Sequence, residues 1–546
     1  MSSEKAQPST RVAVIGAGPL GLCALKNFLE EDFDATIFER RDVLGGLWAY
    51  SDDPNITTVS KTTILNISKY RNCFSDFPFD EKYPPYMTQP QFLEYLQDYA
   101  QAFNLTSRIQ FNTEVLEVKA RESKGENQQI NQSGWTVKVH HSATSSNTDD
   151  SLTEEHYFDK VLICTGKQCQ RTPPIISGVG FFGPDRITHA SAYKGPESYR
   201  GKTVLVLGIG NSAGDISTDL VGIAKDIYVA HRRGAYAIPR ITNGKPADQI
   251  RNRRLDAILE MLMVVAPGWT DNMMETQLAK LSDSSCPPDP KWRMRPAASR
   301  ASLQVMLSDT FMPALQRGDV KSVANLKRIV DDKNVELDDG SCIKVDCIIA
   351  CTGYTTDTSL VTNIRTGALH SENKGGLPRL YQNIFPPAYA HSLAFLDSWQ
   401  LPTGICEAGD LCCMAITQIW KGASSLPAEE EMNRAIDDHY TWLRKVVPNE
   451  RNASLYKVHE ERWRRFLNDA AGTGVNENLG YGWRGWWYWL KNPSQCNLLM
   501  GGVDSPHILR LFDGKRKKWD GAAAAIQAVN DDYERRYGSK ASSKIE

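Results

Sequence analysis

The sequence predicts an α/β chain of two units, each a parallel sheet with a glycine loop at the tip of its first strand. Three observations carry that expectation. The apolar run Val12-Ala13-Val14-Ile15 leads into Gly16-Ala17-Gly18-Pro19-Leu20-Gly21, and Val204-Leu205-Val206-Leu207 leads into Gly208-Ile209-Gly210-Asn211-Ser212-Ala213. Two further apolar strands, Val161-Leu162-Ile163-Cys164 and Cys347-Ile348-Ile349-Ala350-Cys351, both run into a threonine and a glycine, at Thr165-Gly166 and Thr352-Gly353. Finally, the strand after each loop ends in different chemistry: Glu39 and Arg40 in one case, His231, Arg232 and Arg233 in the other.

In a strand-turn-helix of this kind the first glycine permits the tight turn and the second lets backbone N–H groups approach a pyrophosphate. The third small residue lets helix and strand pack closely, with the anion at the helix N-terminus. The pattern therefore reads as two Rossmann-like dinucleotide-binding domains. Glu39 would accept hydrogen bonds from ribose hydroxyls, which suits the unphosphorylated ribose of FAD. A carboxylate is missing after the second loop, and a guanidinium there can clamp a 2′-phosphate, which suits NADPH. A chain that holds both is most simply a flavoprotein reduced by a nicotinamide cofactor.

In chain order, residues 11–168 form the first part of the FAD domain. Residues 122–133 and 140–155, rich in glycine, serine, asparagine and charge, read as exposed hairpins or loops. Thr172-Pro173-Pro174 marks a crossover into the NADPH domain, residues 169–335, whose weakly periodic stretch 239–300 is expected to lie over the active site. Val335-Glu336-Leu337-Asp338-Asp339-Gly340 is a hairpin signal. The two Cys-Thr-Gly strands are read as leaving and re-entering a discontinuous FAD domain, with residues 336–535 as its second part and C-terminal region. An amphipathic helix is expected around residues 429–446, and the cluster Trp483, Trp486, Trp487, Tyr488 and Trp489 is read by default as core packing, with a membrane-facing or substrate-facing patch as the alternative. Residues 1–10 and 536–546 read as disordered tails.

A chain of 546 residues exceeds one core. Its net charge of −2 gives no general attraction to nucleic acid, and Lys515-Arg516-Lys517-Lys518 reads as a solvated loop. Twelve scattered cysteines, with neither C-x-x-C nor zinc spacing, read as thiols of a reducing compartment. No signal peptide begins the chain, its longest apolar stretch is far short of the ~20 residues of a membrane span, and it lacks a peroxisomal tripeptide. The expected location is the cytoplasm.

With these residues in place, the chain resembles the flavin-containing monooxygenases over nearly its whole length. The resemblance rests on the first glycine loop, Gly45-Gly46-Leu47-Trp48, Asn66-Ile67-Ser68-Lys69, Phe74-Ser75-Asp76-Phe77-Pro78-Phe79, and the segment from His189 through Tyr193-Lys194. The second glycine loop, Thr352-Gly353-Tyr354 and Gln418-Ile419-Trp420-Lys421-Gly422 complete it. Three departures stand out. The identifying string F-x-G-x-x-x-H has five residues, not three, between Gly183 and His189. Cys412-Cys413-Met414-Ala415 replaces a polar and aromatic segment, which bears on substrate preference. No hydrophobic anchor follows Tyr537.

The resemblance implies an FAD- and NADPH-dependent enzyme that forms a hydroperoxyflavin and passes one oxygen atom from O2 to a soft nucleophile of a small molecule, by N- or S-oxidation. It assigns the catalytic amide to Asn66, a neutral donor that hydrogen-bonds the peroxide without discharging it. Gly16, Gly18, Pro19, Gly21, Glu39, Arg40, Gly46, Leu47, Trp48, Asn66, Lys69, Thr165, Gly166, Thr352 and Gly353 are expected around the flavin. Gly208, Gly210, Asn211, Ser212, Arg232 and Arg233 are expected around NADPH. His189 and Tyr193 are expected to fix the link between domains. No metal is expected; a homodimer is an open expectation. Competing readings are Baeyer-Villiger or other carbon oxidation of a biosynthetic intermediate, disfavoured because Tyr193-Lys194 stands where those enzymes carry Trp with Pro or Asp. Others are a dithiol reductase using Cys342 and Cys347, and a non-catalytic flavoprotein.

Overall fold

The Arg11–Ile15 strand is the centre of a five-stranded, all-parallel sheet ordered Leu393–Phe395, Lys160–Ile163, Arg11–Ile15, Asp34–Phe38, Ile109–Gln110. Val12, Ala13 and Val14 are fully buried, as a strand covered on both faces requires. The Pro19–Glu30 helix crosses one face; a three-stranded antiparallel sheet, Thr113–Lys124, Ile130–His141 and Thr153–Phe158, covers the other. The computed structural model describes residues 9–124, 130–142, 153–168, 170–284, 286–297, 305–356, 358–362, 364, 377–396, 398–401, 403–447 and 456–538.

A second sheet repeats this plan strand for strand: Ile187–His189, Cys347–Ala350, Thr203–Leu207, Asp226–His231, Lys321–Ala324, again all parallel. It too carries a three-stranded antiparallel sheet, Leu326–Ile329, Asn334–Leu337 and Cys342–Lys344. The expected hairpin after Val335 is its second turn, with Gly340 at φ +83°.

The repeat corrects one expectation. The Cys347–Ala350 strand does not re-enter the first sheet; it pairs with Thr203–Leu207, just as Lys160–Ile163 pairs with Arg11–Ile15. The Cys-Thr-Gly echo is therefore duplication, one copy per unit, and a boundary at 335 would sever the second sheet. The chain crosses where Gln170–Arg171 and Tyr354–Thr355 lie antiparallel. Outgoing and returning segments thus run side by side.

The C-terminal region packs on the first unit. The Ile405–Trp420 helix is buried along almost its entire length, Trp420 stacks on Phe28 at 5.5 Å, and a Cβ on Gly409 would overlap Leu20. Cys412, Cys413, Met414 and Ala415 are core residues of this helix and do not shape the cavity. The expected amphipathic helix runs Glu429–Val446 with Met432, Ile436, Tyr440 and Leu443 inward.

Two further expectations change. The tryptophan cluster forms the Trp483–Lys491 helix, yet Gly485 and Tyr488 face the protein while Trp483, Trp486, Trp487 and Trp489 are exposed. A Cβ at Gly485 would overlap the Gly480 carbonyl, so the inward face is the small one. In the basic run, Arg516 is buried and donates to the carbonyls of Leu509, Thr473 and Phe512, while its neighbours are exposed. The last helix reaches Tyr537, two residues into the expected tail; residues 1–8 and 539–546 lie outside the described residues.

Candidate cofactor and active site

The first loop is shaped by its glycines. Gly16 has φ +105°, and a Cβ there would stand 2.8 Å from the Cys164 carbonyl oxygen; one on Gly21 would stand 1.9 Å from the Gly16 oxygen. The turn holding Thr165 and Gly166 thus abuts the loop. Gly18 caps the Pro19–Glu30 helix with no side-chain acceptor, leaving its first amides for an anion. Glu39 is buried and accepts from the Ala17 and Arg41 N–H groups at 2.8 and 3.0 Å. It anchors the loop at the end of the strand where a ribose would lie. Gly46 packs against Gly18, and Arg41 donates to the Gly46 and Ala49 carbonyls at 3.2 and 2.8 Å. Arg40 is exposed and holds nothing among the described residues; the side chain that braces the turn is Arg41.

The second loop repeats the construction. Gly208 has φ +127°, and its Cβ would stand 2.7 Å from the Cys351 carbonyl oxygen. Gly210 caps the Asn211–Asp219 helix, again without a side-chain acceptor. Asn211 shapes the loop: its Oδ1 accepts from the Leu307 N–H at 3.1 Å. Gly208, Gly210, Asn211, Ser212, Arg232 and Arg233 all line the cavity between the units. Both arginines are exposed and neither has an acidic partner among the described residues. Buried His231 bonds the Arg233 carbonyl and the Ser322 hydroxyl at 2.9 and 2.8 Å, and burial lowers its pKa. The neutral ring holds the strand end while two uncompensated guanidinium groups stand free for a phosphate.

The cavity measures about 4400 Å3, several times the ~300–1,000 Å3 of a pocket for one drug-sized ligand. From the first unit Leu47, Trp48 and Asn66 reach it, whereas Gly16–Gly21 and Glu39 are not part of its lining, and Gly46 packs on Gly18. The second unit reaches across with a hairpin, Ile241–Thr242 and Lys245–Pro246, turned by Asn243-Gly244 at φ +51° and +71°. Its two ends grip the Asn66 segment. On one side buried Arg240 donates to the carbonyls of Ile64 and Leu65 and to Asn66 Oδ1, at 3.1, 3.0 and 3.1 Å, and pairs with Asp309. On the other, Asp248 Oδ2 accepts from the Ser68 N–H at 2.7 Å.

Because arginine only donates, the amide atom facing it must be the oxygen. The Asn66 NH2 is left without a partner among the described residues, on the cavity wall. The residues present therefore fit two dinucleotides and a reactive centre: uncapped glycine loops, an acid at one ribose position, paired cations at the other, and a fixed neutral donor.

Three predicted residues sit elsewhere than expected. Lys69 turns away from the cavity: it is buried, donates to the Tyr83 carbonyl at 3.1 Å and pairs with Asp532 at 3.2 Å, and burial lowers its pKa. Thr352 and Gly353 line the cavity from the second unit and the crossing, not from the first sheet; Gly353 accepts from Thr172 N–H. His189 does tie the crossing together, bonding the Gly353 carbonyl and Ser191, whereas Tyr193 does not link the units: its hydroxyl donates to Asp219 of the second loop's own helix and its ring packs in the second unit's core. Lys194 carries the tie to the first unit, donating to Ile56 and Thr58. The longer string before His189 is a short helical turn, Pro184–Arg186, pinned by Arg186 on the carbonyls of Asp332, Val345 and Asp346.

Sequence reasoning missed Arg240, Asp248 and Asp215. A lone arginine in a weakly periodic stretch carries no spacing signal. Asp215, inside the second loop's helix, was legible as an acid beside a phosphate site. Burial, with Asp219 adding repulsion, raises its pKa to about 6 against the pull of Arg240. Burial also raises Asp248 despite the hydrogen bond from Ser68. Of the described cysteines only Cys351 lines the cavity, and burial pushes its thiol up to about 12. Cys342 lies exposed on an outer strand of the small sheet, while Cys347 is buried in the parallel one.

A family model described as flavin-binding monooxygenase-like matches residues 9–542. Monooxygenase aurF of Gibberella zeae is 36% identical over 97% of this chain and 99% of its own. Human flavin-containing monooxygenase 5 is 30% identical over 95% and 92% of the two chains. Among solved structures, the S-allyl-L-cysteine S-oxygenase of Allium sativum superposes with TM-score 0.60 at 20% identity, covering 97% of this chain and 99% of that one.

Proposed function

The chain belongs to the flavin-binding monooxygenase-like family, and from that premise we propose that it transfers one oxygen atom of O2 to a soft nitrogen or sulfur nucleophile of a small molecule. It is an oxidoreductase whose cofactors are FAD and NADPH. Bound FAD, reduced by NADPH, supplies the activated oxygen; this chain's residues hold, orient and shield it.

The first loop, with Glu39 and the Gly46–Trp48 turn, holds FAD. The second, with Arg232 and Arg233, holds NADPH. The observation that carries the reading is the fixed Asn66 amide. Its oxygen is tied to Arg240 and its NH2 is free to donate to an oxygen on the flavin. An amide stabilises developing negative charge there without delivering a proton, which an acid would do. The hairpin around Arg240 and Asp248 fixes this part of the wall by holding the Asn66 segment on both sides.

A dithiol reductase needs a cysteine pair at the flavin. Cys342 and Cys347 are in different sheets and outside the cavity lining, which argues against that chemistry. The reading keeps the chain in the cytoplasm; no helix among the described residues is long and apolar enough to cross a membrane.

The test is an oxygenation panel of tertiary amines, sulfides and cyclic ketones with purified FAD-loaded enzyme and NADPH. N-oxide or S-oxide formed in step with NADPH consumption, and lost in Asn66→Ala with peroxide released instead, supports the reading. Ester from the ketones with no heteroatom product would replace it with carbon oxidation. Reduction by NADPH with peroxide as sole product on every class would remove it.

A further inference from the structure

The Trp483–Lys491 helix turns its apolar stripe outward. Trp483, Trp486, Trp487 and Leu490 are 74%, 57%, 54% and 63% exposed. Their spacing is i, i+3, i+4, i+7, the stripe that a helix of a globular protein buries. The surface continues onto the Arg253–Val265 helix, whose Met261, Val264 and Val265 are also exposed. The two helices are joined through Pro493–Gly501: Arg254 donates to Asn497 Oδ1 and Asn252 to the Gly501 carbonyl, at 2.9 and 3.2 Å. An apolar face of this breadth marks an interaction site.

The charge of the tryptophan segment is one-sided, and on the neighbouring helix Asp256 and Glu260 are paired with Arg251 and Arg465. Between Glu477 and Asp504 the sequence holds Arg484 and Lys491 and no acidic residue. The Arg484 guanidinium lies 5.5 Å from the Trp483 ring and the Lys491 ammonium 4.8 Å from the Trp487 ring. Neither cation has an acidic partner among the described residues. Indole rings flanked by cations that extend past them match the headgroup layer of a membrane: rings at the boundary, charges on the lipid phosphates.

We infer that this face docks peripherally on a phospholipid surface bearing anionic headgroups, with the Trp483–Lys491 helix lying in the interface. The cavity supports a bilayer over a protein partner. Met261, Val264 and Tyr481 are exposed on this face and also line the cavity, so its mouth opens there. A protein seated on the face would cover the entrance, whereas a bilayer is itself a reservoir of apolar small molecules.

The experiment is flotation of the FAD-loaded full-length enzyme with vesicles of phosphatidylcholine alone or mixed with phosphatidylglycerol. The wild type is expected to float with the mixed vesicles, less so as salt rises. Trp486→Ser with Trp487→Ser is expected to cut the bound fraction at least about tenfold. Arg484→Glu with Lys491→Glu, which leaves all four exposed apolar side chains in place, is expected to abolish the preference for the anionic vesicles. Both double variants keep flavin content and NADPH oxidation in vesicle-free buffer. The inference is overturned if the wild type floats with neither vesicle, or if both variants float as it does. It is equally overturned if the wild type binds no lipid but is a dimer that the tryptophan variant converts to monomer, since a second copy then covers the face.

Discussion

Arg240 Nη2 donates to Asn66 Oδ1 at 3.1 Å, so an arginine of the second unit sets the orientation of the amide that the first unit supplies. The same guanidinium holds the Ile64 and Leu65 carbonyls, and its other side is fixed by Asp309. The placement of the reactive donor is thus conditional on how the two units meet.

Replacing Arg240 by Met removes these donors and frees Asn66 to rotate. Anaerobic reduction of the flavin by NADPH is expected to stay within about twofold, because it does not use the amide. Peroxide released per NADPH consumed is expected to rise by about tenfold or more, the loss associated with a buried charged hydrogen bond. Arg240→Lys, which keeps the charge and one donor nitrogen in place of three, is expected to recover part of the coupling. Unchanged coupling in Arg240→Met would detach Arg240 from the chemistry.

Arg232 and Arg233 carry the choice of nicotinamide cofactor. Arg232→Ala is expected to raise the KM for NADPH about tenfold or more while leaving that for NADH nearly unchanged, since only the 2′-phosphate needs the guanidinium. Steady-state NAD(P)H oxidation under both cofactors reads this directly. An equal loss with NADH would move the arginine off the phosphate.

Much of this was legible in the sequence because it depends on local backbone chemistry. Gly16, Gly21 and Gly208 are fixed by close backbone approaches that no other residue tolerates, and their spacing announces them. The strand ends at Glu39 and Arg232 follow from the same register. Arg240 was not legible: its partners lie some 175 residues away, and nothing in its neighbours marks it. The Cys-Thr-Gly strands misled for a related reason. A strand's own sequence shows that it is buried but not which sheet it joins, and two copies of one plan look like one domain entered twice. The outward tryptophans went wrong because burial was assumed from apolarity, whereas Gly485 makes the opposite face the one that packs.

Gly208→Ala separates the two nucleotide sites. The new Cβ would meet the Cys351 carbonyl oxygen at 2.7 Å, in a backbone conformation with φ +127° that alanine resists. The variant is expected to purify yellow, with flavin bound at the distant first loop, and to be reduced by dithionite but not by NADPH. A colourless protein would mean that the second loop is needed for the fold of the first unit as well.

Asp215 gives stability a pH dependence of definite sign. Its ordinary pKa of 3.8 rises to about 6 in the folded protein, chiefly through burial. The folded state therefore binds the proton more tightly than the unfolded one, and stability falls as pH climbs from about 4 to about 6, then stays at the lower level. The shift corresponds to about 3 kcal/mol. Asp215→Asn keeps the site neutral at every pH, so its thermal midpoint is expected to exceed that of the wild type by a few degrees at pH 8 and to match it near pH 4. The comparison is made on FAD-loaded protein without NADPH, so that no bound phosphate adds its own repulsion to the carboxylate. A variant less stable than wild type at pH 8 would mean that the ionised carboxylate is paired with Arg240 strongly enough to outweigh its burial.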